Sequence, residues 1–157
     1  MLEHENFEGT ILEPCCGEGH ISEVLKECCY TVFSNDLIDR GYGETFKDFL
    51  TEDFEKVDNI ITNPPFKYAK EFIEKSLQVS NKKVAMFCKL QLLEGVARKD
   101  MFENTPLKTV YVFSKRQNPL RNGSEFDENG KRWASTMAFA WFLWEQGYEG
   151  QPEIKWL

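Results

Sequence analysis

The chain has 157 residues, enough for one domain with its own core and too few for two. With 41% hydrophobic and 14% aromatic residues it reads as a folded globular protein, which excludes a disordered chain. The longest apolar run, residues 137–144, is far short of the roughly 20 residues a membrane helix needs, and no charged-then-apolar leader opens the chain. A cytoplasmic protein without membrane contact is expected.

The net charge of −7 argues against a uniform polyanion binder, but it is unevenly spread. Residues 1–59 carry 4 Lys/Arg against 15 Asp/Glu, whereas residues 60–132 carry 14 against 8. The basic half is either a set of solvated helix faces or a surface for a polyanion. Five cysteines, at 15, 16, 28, 29 and 88, lack the two-residue gap with which a pair grips zinc, so no metal site is expected and the thiols read as reduced.

In chain order, "GTILEP" (9–14) is a short β-branched run ending in an acid and a proline, a buried strand. "GHISEVLKECC" (19–29) places Ile21, Val24, Leu25 and Cys28 on one helical face. "YTVFSND" (30–36) is a second strand and "NIIT" (59–62) a third. The twenty or so residues between them leave "RGYGETFKDFL" as loop, short helix or stunted strand. "KYAKEFIEKSLQV" (67–79) is a helix burying Phe72, Ile73 and Leu77. "KKVAMFCKL" (82–90) and "LKTVYVFSK" (107–115) are strands with a helix at about 96–104 between them, and "STMAFAWFLWEQ" (135–146) is a last strand. Residues 116–132 form a long polar loop, of a length that is usually functional or disordered.

Strands alternating with helices indicate one α/β domain over residues 1–157, with a mostly parallel central sheet and helices on both faces. Ligands of such sheets sit outside the carboxyl ends of the strands, where "EPCCGEG", "SND" and "NPPF" all fall. In the first, Glu13 and Pro14 close a strand, and Gly17 and Gly19 then open a helix, which lets backbone approach a ligand at the helix amino end. The third position of a dinucleotide fingerprint is Ser22 instead of glycine, which counts against a pyrophosphate. Asp36 closes the second strand 19 residues after Gly17, where a carboxylate accepts hydrogen bonds from two ribose hydroxyls. Asp48 and Phe49 are candidates for an adenine amino acceptor and an apolar wall.

Glu13-Pro14-x-x-Gly17-x-Gly19, Asp36, Asp48-Phe49 and Asn63-Pro64-Pro65-Phe66, in that order, resemble the Rossmann-like class I methyltransferases that use S-adenosyl-L-methionine. Within them the pattern is most similar to the small phage-type DNA adenine-N6 enzymes, over roughly residues 9–115. The resemblance implies that Gly17 and Gly19 line the cofactor, that Asp36 holds its ribose and Asp48 its adenine, and that DNA is the partner. Relatives usually carry a covering segment before the first strand and a separate recognition domain. Without them, sequence selectivity is expected from loops, from a partner or not at all.

The chemistry of Asn-Pro-Pro-Phe follows. An adenine amino group is a poor nucleophile because its lone pair is shared with the ring, so the protein must position it and supply two acceptors that draw it toward tetrahedral geometry. The Asn63 side-chain oxygen and the Pro64 carbonyl are those acceptors; Pro64 and Pro65 stiffen the turn without adding N–H donors, and Phe66 stacks on the base. Lys89, Arg116, Arg121, Lys131 and Arg132 are the candidate nucleic-acid contacts. Two alternatives remain at this level. The acceptor is instead a glutamine amide of a protein or an RNA base amino group, or the chain is a non-catalytic cofactor- or nucleic-acid-binding module.

Overall fold

The structure is a computed structural model, and it describes residues 1–117, 126, 128–130 and 137–157. Seven strands form one sheet: β1 (Thr10–Glu13), β2 (Thr31–Ser34), β3 (Val57–Thr62), β4 (Ser80–Lys89), β5 (Leu107–Val112), β6 (Phe139–Glu145) and β7 (Glu153–Trp156). Their spatial order is β2-β1-β3-β4-β6-β5-β7. All neighbours pair in parallel except β6, which runs antiparallel between β4 and β5. The carboxyl ends of β1 to β5 and the amino end of β6 therefore share one edge of the sheet. The expected mostly parallel α/β sheet with helices on both faces is what the chain adopts.

Among the described residues three α-helices cover it: α1 (His20–Glu27), α2 (Ala69–Val79) and α3 (Val96–Glu103). Side chains alternate along a strand, so each strand feeds two cores. On one face Leu12, Ile60, Val84, Met86, Phe142 and Trp144 pack against Phe72 and Ile73 of α2 and Met101 of α3. On the other, Ile11, Ile61, Ala85, Tyr111 and Leu143 pack against Leu25 of α1 and Phe7 of the amino-terminal segment. The central strands are apolar on both sides, as a doubly covered sheet requires.

One local reading is corrected. Val24 is 49% exposed and Cys28 is exposed, while Ser22 and Leu25 are the buried residues of α1. The helix is rotated so that the Ser22 hydroxyl reaches Glu13, a polar contact that apolar periodicity cannot register. For the segment between β2 and β3, where the sequence leaves loop, short helix and stunted strand all open, the structure has an isolated parallel bridge, Asn35 to Thr45, and no helix.

Candidate active site

The turn after β1 is organised by backbone hydrogen bonds to the end of β2. Cys16 N–H donates to the Asn35 carbonyl at 2.9 Å, and Asn35 N–H to the Glu13 carbonyl at 2.9 Å. The Asn35 side chain donates to the Pro14 and Lys47 carbonyls, at 3.2 and 3.0 Å, and ties a third segment to the turn. Asp36 then links the two motifs directly: one carboxylate oxygen accepts the Gly17 N–H at 2.8 Å and the other the Ile38 N–H at 2.9 Å. Gly17 has a φ of +57°, and nothing lies within 4 Å of where a side chain would begin, so its backbone borders open space. Gly19, at φ +87°, is used differently. A Cβ there would stand 2.4 Å from the ring of Tyr42, whose hydroxyl donates to Glu23 at 2.5 Å. The second glycine thus admits a protein ring that packs the β2–β3 segment onto α1.

Glu13 and Phe49, both expected among the cofactor residues, have buried side chains. Glu13 is 1% exposed; it accepts a hydrogen bond from Ser22, which is itself 2.8 Å from Ser34. Burial pushes the Glu13 carboxyl up to about 8, despite the Ser22 hydrogen bond. It is an anchor of α1 beneath the glycine turn. Phe49 is 2% exposed, with its ring 5.1 Å from Phe54 and 5.3 Å from Phe72, so it holds the loop in the core. Asp48 is half-buried, and its side chain accepts the Leu50 N–H at 2.9 Å.

Beside this turn, on the adjacent strand, β3 ends at buried Thr62, whose hydroxyl is close to the Cys15 thiol. Asn63 follows and is exposed, and among the described residues its side chain has no hydrogen-bond partner. Among the described residues no N–H donates to the Pro64 carbonyl either; the 3₁₀ turn that follows (Phe66–Tyr68) begins with Tyr68 N–H on the Pro65 carbonyl at 2.9 Å. Phe66 keeps 40% of its surface exposed, and its ring is 5.9 Å from that of Phe139 at the start of β6. The Lys89 ammonium, at the end of β4, sits 4.7 Å from the centre of the Phe66 ring. Burial raises both thiols of the turn, Cys15 strongly and Cys16 to about 11, so neither is a thiolate near neutrality.

No family model and no curated protein sequence matches the chain. Solved structures do match. A Pyrococcus horikoshii protein with a proposed RNA methyltransferase assignment superposes with a TM-score of 0.63 at 13% identity, covering 87% of this chain and 74% of that one. Magnesium protoporphyrin IX methyltransferase from Synechocystis, solved with S-adenosylmethionine bound, gives 0.57 at 11%, over 88% and 70%. A dimethyladenosine transferase from Plasmodium falciparum gives 0.53 at 15%, over 89% of this chain and 56% of that one. The fold is that of the class I methyltransferases.

In this methyltransferase fold the four motifs meet at the carboxyl edge. Arg116 is exposed, while Arg121, Lys131 and Arg132 lie outside the described residues, as does most of the 116–132 loop. Sequence reasoning passed over Leu37 and Ile38, 63% and 53% exposed directly after Asp36. Two exposed apolar residues in an otherwise polar stretch are the signal by which the sequence could have singled them out. A groove of about 390 Å³ lies at the opposite edge, lined by Asn6, Glu8, Asn59, Lys82, Lys83 and Glu145, away from all four motifs. Among the described residues no group of three or more His, Cys, Asp or Glu could hold a metal. No helix among them is long and apolar enough to cross a membrane.

Proposed function

We propose that the protein is an S-adenosyl-L-methionine-dependent methyltransferase acting on a planar exocyclic amino group, with N6 of adenine in DNA as the favoured acceptor. One observation carries the reading: two acceptors, the Asn63 side chain and the Pro64 carbonyl, have no hydrogen-bond partner among the described residues and stand at the end of β3 beside an exposed aromatic ring, one strand from the glycine turn. The residues present fit the cofactor, since Gly17 borders open space, Asp36 offers a carboxylate at the turn, and Leu37 and Ile38 expose apolar surface next to it. When bound, the cofactor supplies an electrophilic methyl group on a sulfonium.

The protein's own part is orientation and charge. Asn63 and Pro64 accept the two amino hydrogens, which localises the nitrogen lone pair, and the ring of Phe66 holds the base plane. The nitrogen becomes positively charged as its bond to carbon forms, so acceptors fixed beforehand gain strength at the transition state. Cys15 and Cys16 remain neutral thiols, which protects them from methylation by the donor. The dimethyladenosine transferase fold match supports an adenine amino acceptor.

The test is transfer of labelled methyl from the cofactor to DNA, RNA and protein acceptors, followed by analysis of digested nucleosides. N6-methyladenine in DNA alone is the expected outcome. Label only in a glutamine amide or an RNA base moves the acceptor, and cofactor binding without transfer to any acceptor overturns the enzyme reading.

A further inference from the structure

Beyond Phe66 the carboxyl edge carries aromatic rings in mutual contact that the proposed transfer step does not use. Phe139 and Phe87 are stacked, with centroids 5.1 Å apart and planes 6° from parallel. Trp141 and Phe113 stand edge-on to Phe87 at 5.5 and 5.9 Å. Phe87, Phe113 and Trp141 are half-buried, and Phe139 joins them to Phe66. Strand alternation puts Phe87 and Lys89 on the face that α1 covers further along the sheet.

Charge selects the occupant. Lys89 lies over the Phe66 ring and Lys67 over the Tyr68 ring, at 4.7 and 5.0 Å, and neither has a carboxylate within ion-pair reach among the described residues. Lysines elsewhere on this face are neutralised: Lys83 pairs with Glu5 at 2.8 Å and Lys108 with Glu145 at 2.7 Å. Rings interleaved with unpaired ammonium groups suit a ligand that alternates flat bases with phosphates.

We infer that this face is a stacking surface for unpaired nucleic acid, so that the acceptor base is delivered on a single-stranded segment whose neighbouring bases lie on the rings. A duplex hides its base faces, whereas every base of a single strand offers one. The identity of the target base rests on the proposed methyl transfer; the surface itself does not.

The experiment measures binding by fluorescence anisotropy with the full chain and no cofactor. The probes are a short labelled single strand of mixed sequence, as DNA and as RNA, and its duplex. The single strand should bind at least about tenfold more tightly than the duplex, and Phe87→Ala should weaken it about tenfold or more. Lys89→Gln leaves the core untouched and should flatten the salt dependence by about 0.7 in log–log slope, the value for one phosphate on a single strand. Equal binding of duplex and single strand, or wild-type binding by both variants, overturns the inference. Single-strand binding without methyl transfer removes the transfer reading and leaves the surface standing. Transfer to duplex or polypeptide without single-strand binding does the reverse.

Discussion

Glu13→Gln is the sharpest probe of how the turn is built. The folded protein holds the Glu13 carboxyl up at about 8 because it is buried, whereas an unfolded carboxyl titrates near 4.5. Between those pH values the native state keeps a proton that the unfolded chain releases, so stability falls as pH rises. At about 1.4 kcal/mol per pH unit the full interval amounts to about 5 kcal/mol. A domain has only about 5–15 kcal/mol in total, and the Ser22 hydrogen bond also serves the ionised form, so a realised loss of about 2 kcal/mol is the sensible expectation. Glutamine keeps the shape without the titration. Urea unfolding at pH 5, 6.5 and 8 should therefore show the variant near wild type at pH 5 and gaining on it steadily toward pH 8. Titrations elsewhere are common to both proteins and cancel in the difference. A difference independent of pH, or a wild type that gains on the variant as pH rises, would show that Glu13 is ionised in the fold and would refute the reasoning.

Three further outcomes follow from the same edge of the sheet. Asn63→Ala should lower methyl transfer at least about a hundredfold, the scale for losing one fixed transition-state hydrogen bond, with unfolding unchanged because the side chain is exposed and has no partner among the described residues; full activity in labelled-methyl assays would reject the acceptor role. Asp36→Ala should weaken cofactor binding in calorimetry about tenfold to a hundredfold, as expected for a lost hydrogen bond to a charged group, and affinity equal to wild type would remove Asp36 from the site. Gly19→Ala should destabilise by about 1–3 kcal/mol through its positive φ and the Tyr42 ring. Tyr42→Ala in the same chain should recover part of that loss in thermal unfolding, and no recovery would mean that the ring is not the obstacle.

The sheet was legible because its central strands are buried on both faces and end at sharp punctuation: Glu13-Pro14, Asp36 and Asn63-Pro64 each stop an apolar run. What escaped has physical reasons. β7 exposes all four of its side chains, so an edge strand of sequence "EIKW" leaves no burial pattern to read. The α1 face was misjudged because its key inward contact is a serine hydroxyl on a buried acid, and hydrophobic spacing is blind to polar anchors. An aromatic beside an acid suits a ligand wall and a core equally well in the sequence, and the structure packs the Phe49 ring on Phe54 and Phe72. Tyr42 was invisible for a related reason, since nothing local says that a loop ring will fill the space beside Gly19.

The same comparison separates the site from ordinary polar imperfections of the fold. Asn59 has an oxygen without a partner, but it is fully buried, and its amide nitrogen is occupied by the Glu8 and Thr10 carbonyls, so it serves the packing of β1 on β3. Asn63 is the opposite case. It is exposed, so water satisfies it in the free protein and its side chain contributes almost nothing to stability. Its neighbour Pro64 is buried and rigid, which fixes where the carbonyl points although no described residue hydrogen-bonds to it. A flat group laid on Phe66 would displace that water and meet two acceptors already in place, with no reorganisation left to oppose it. The proposed acceptor role accounts for an arrangement that stabilises the fold so little and is nevertheless built from two prolines and an exposed ring.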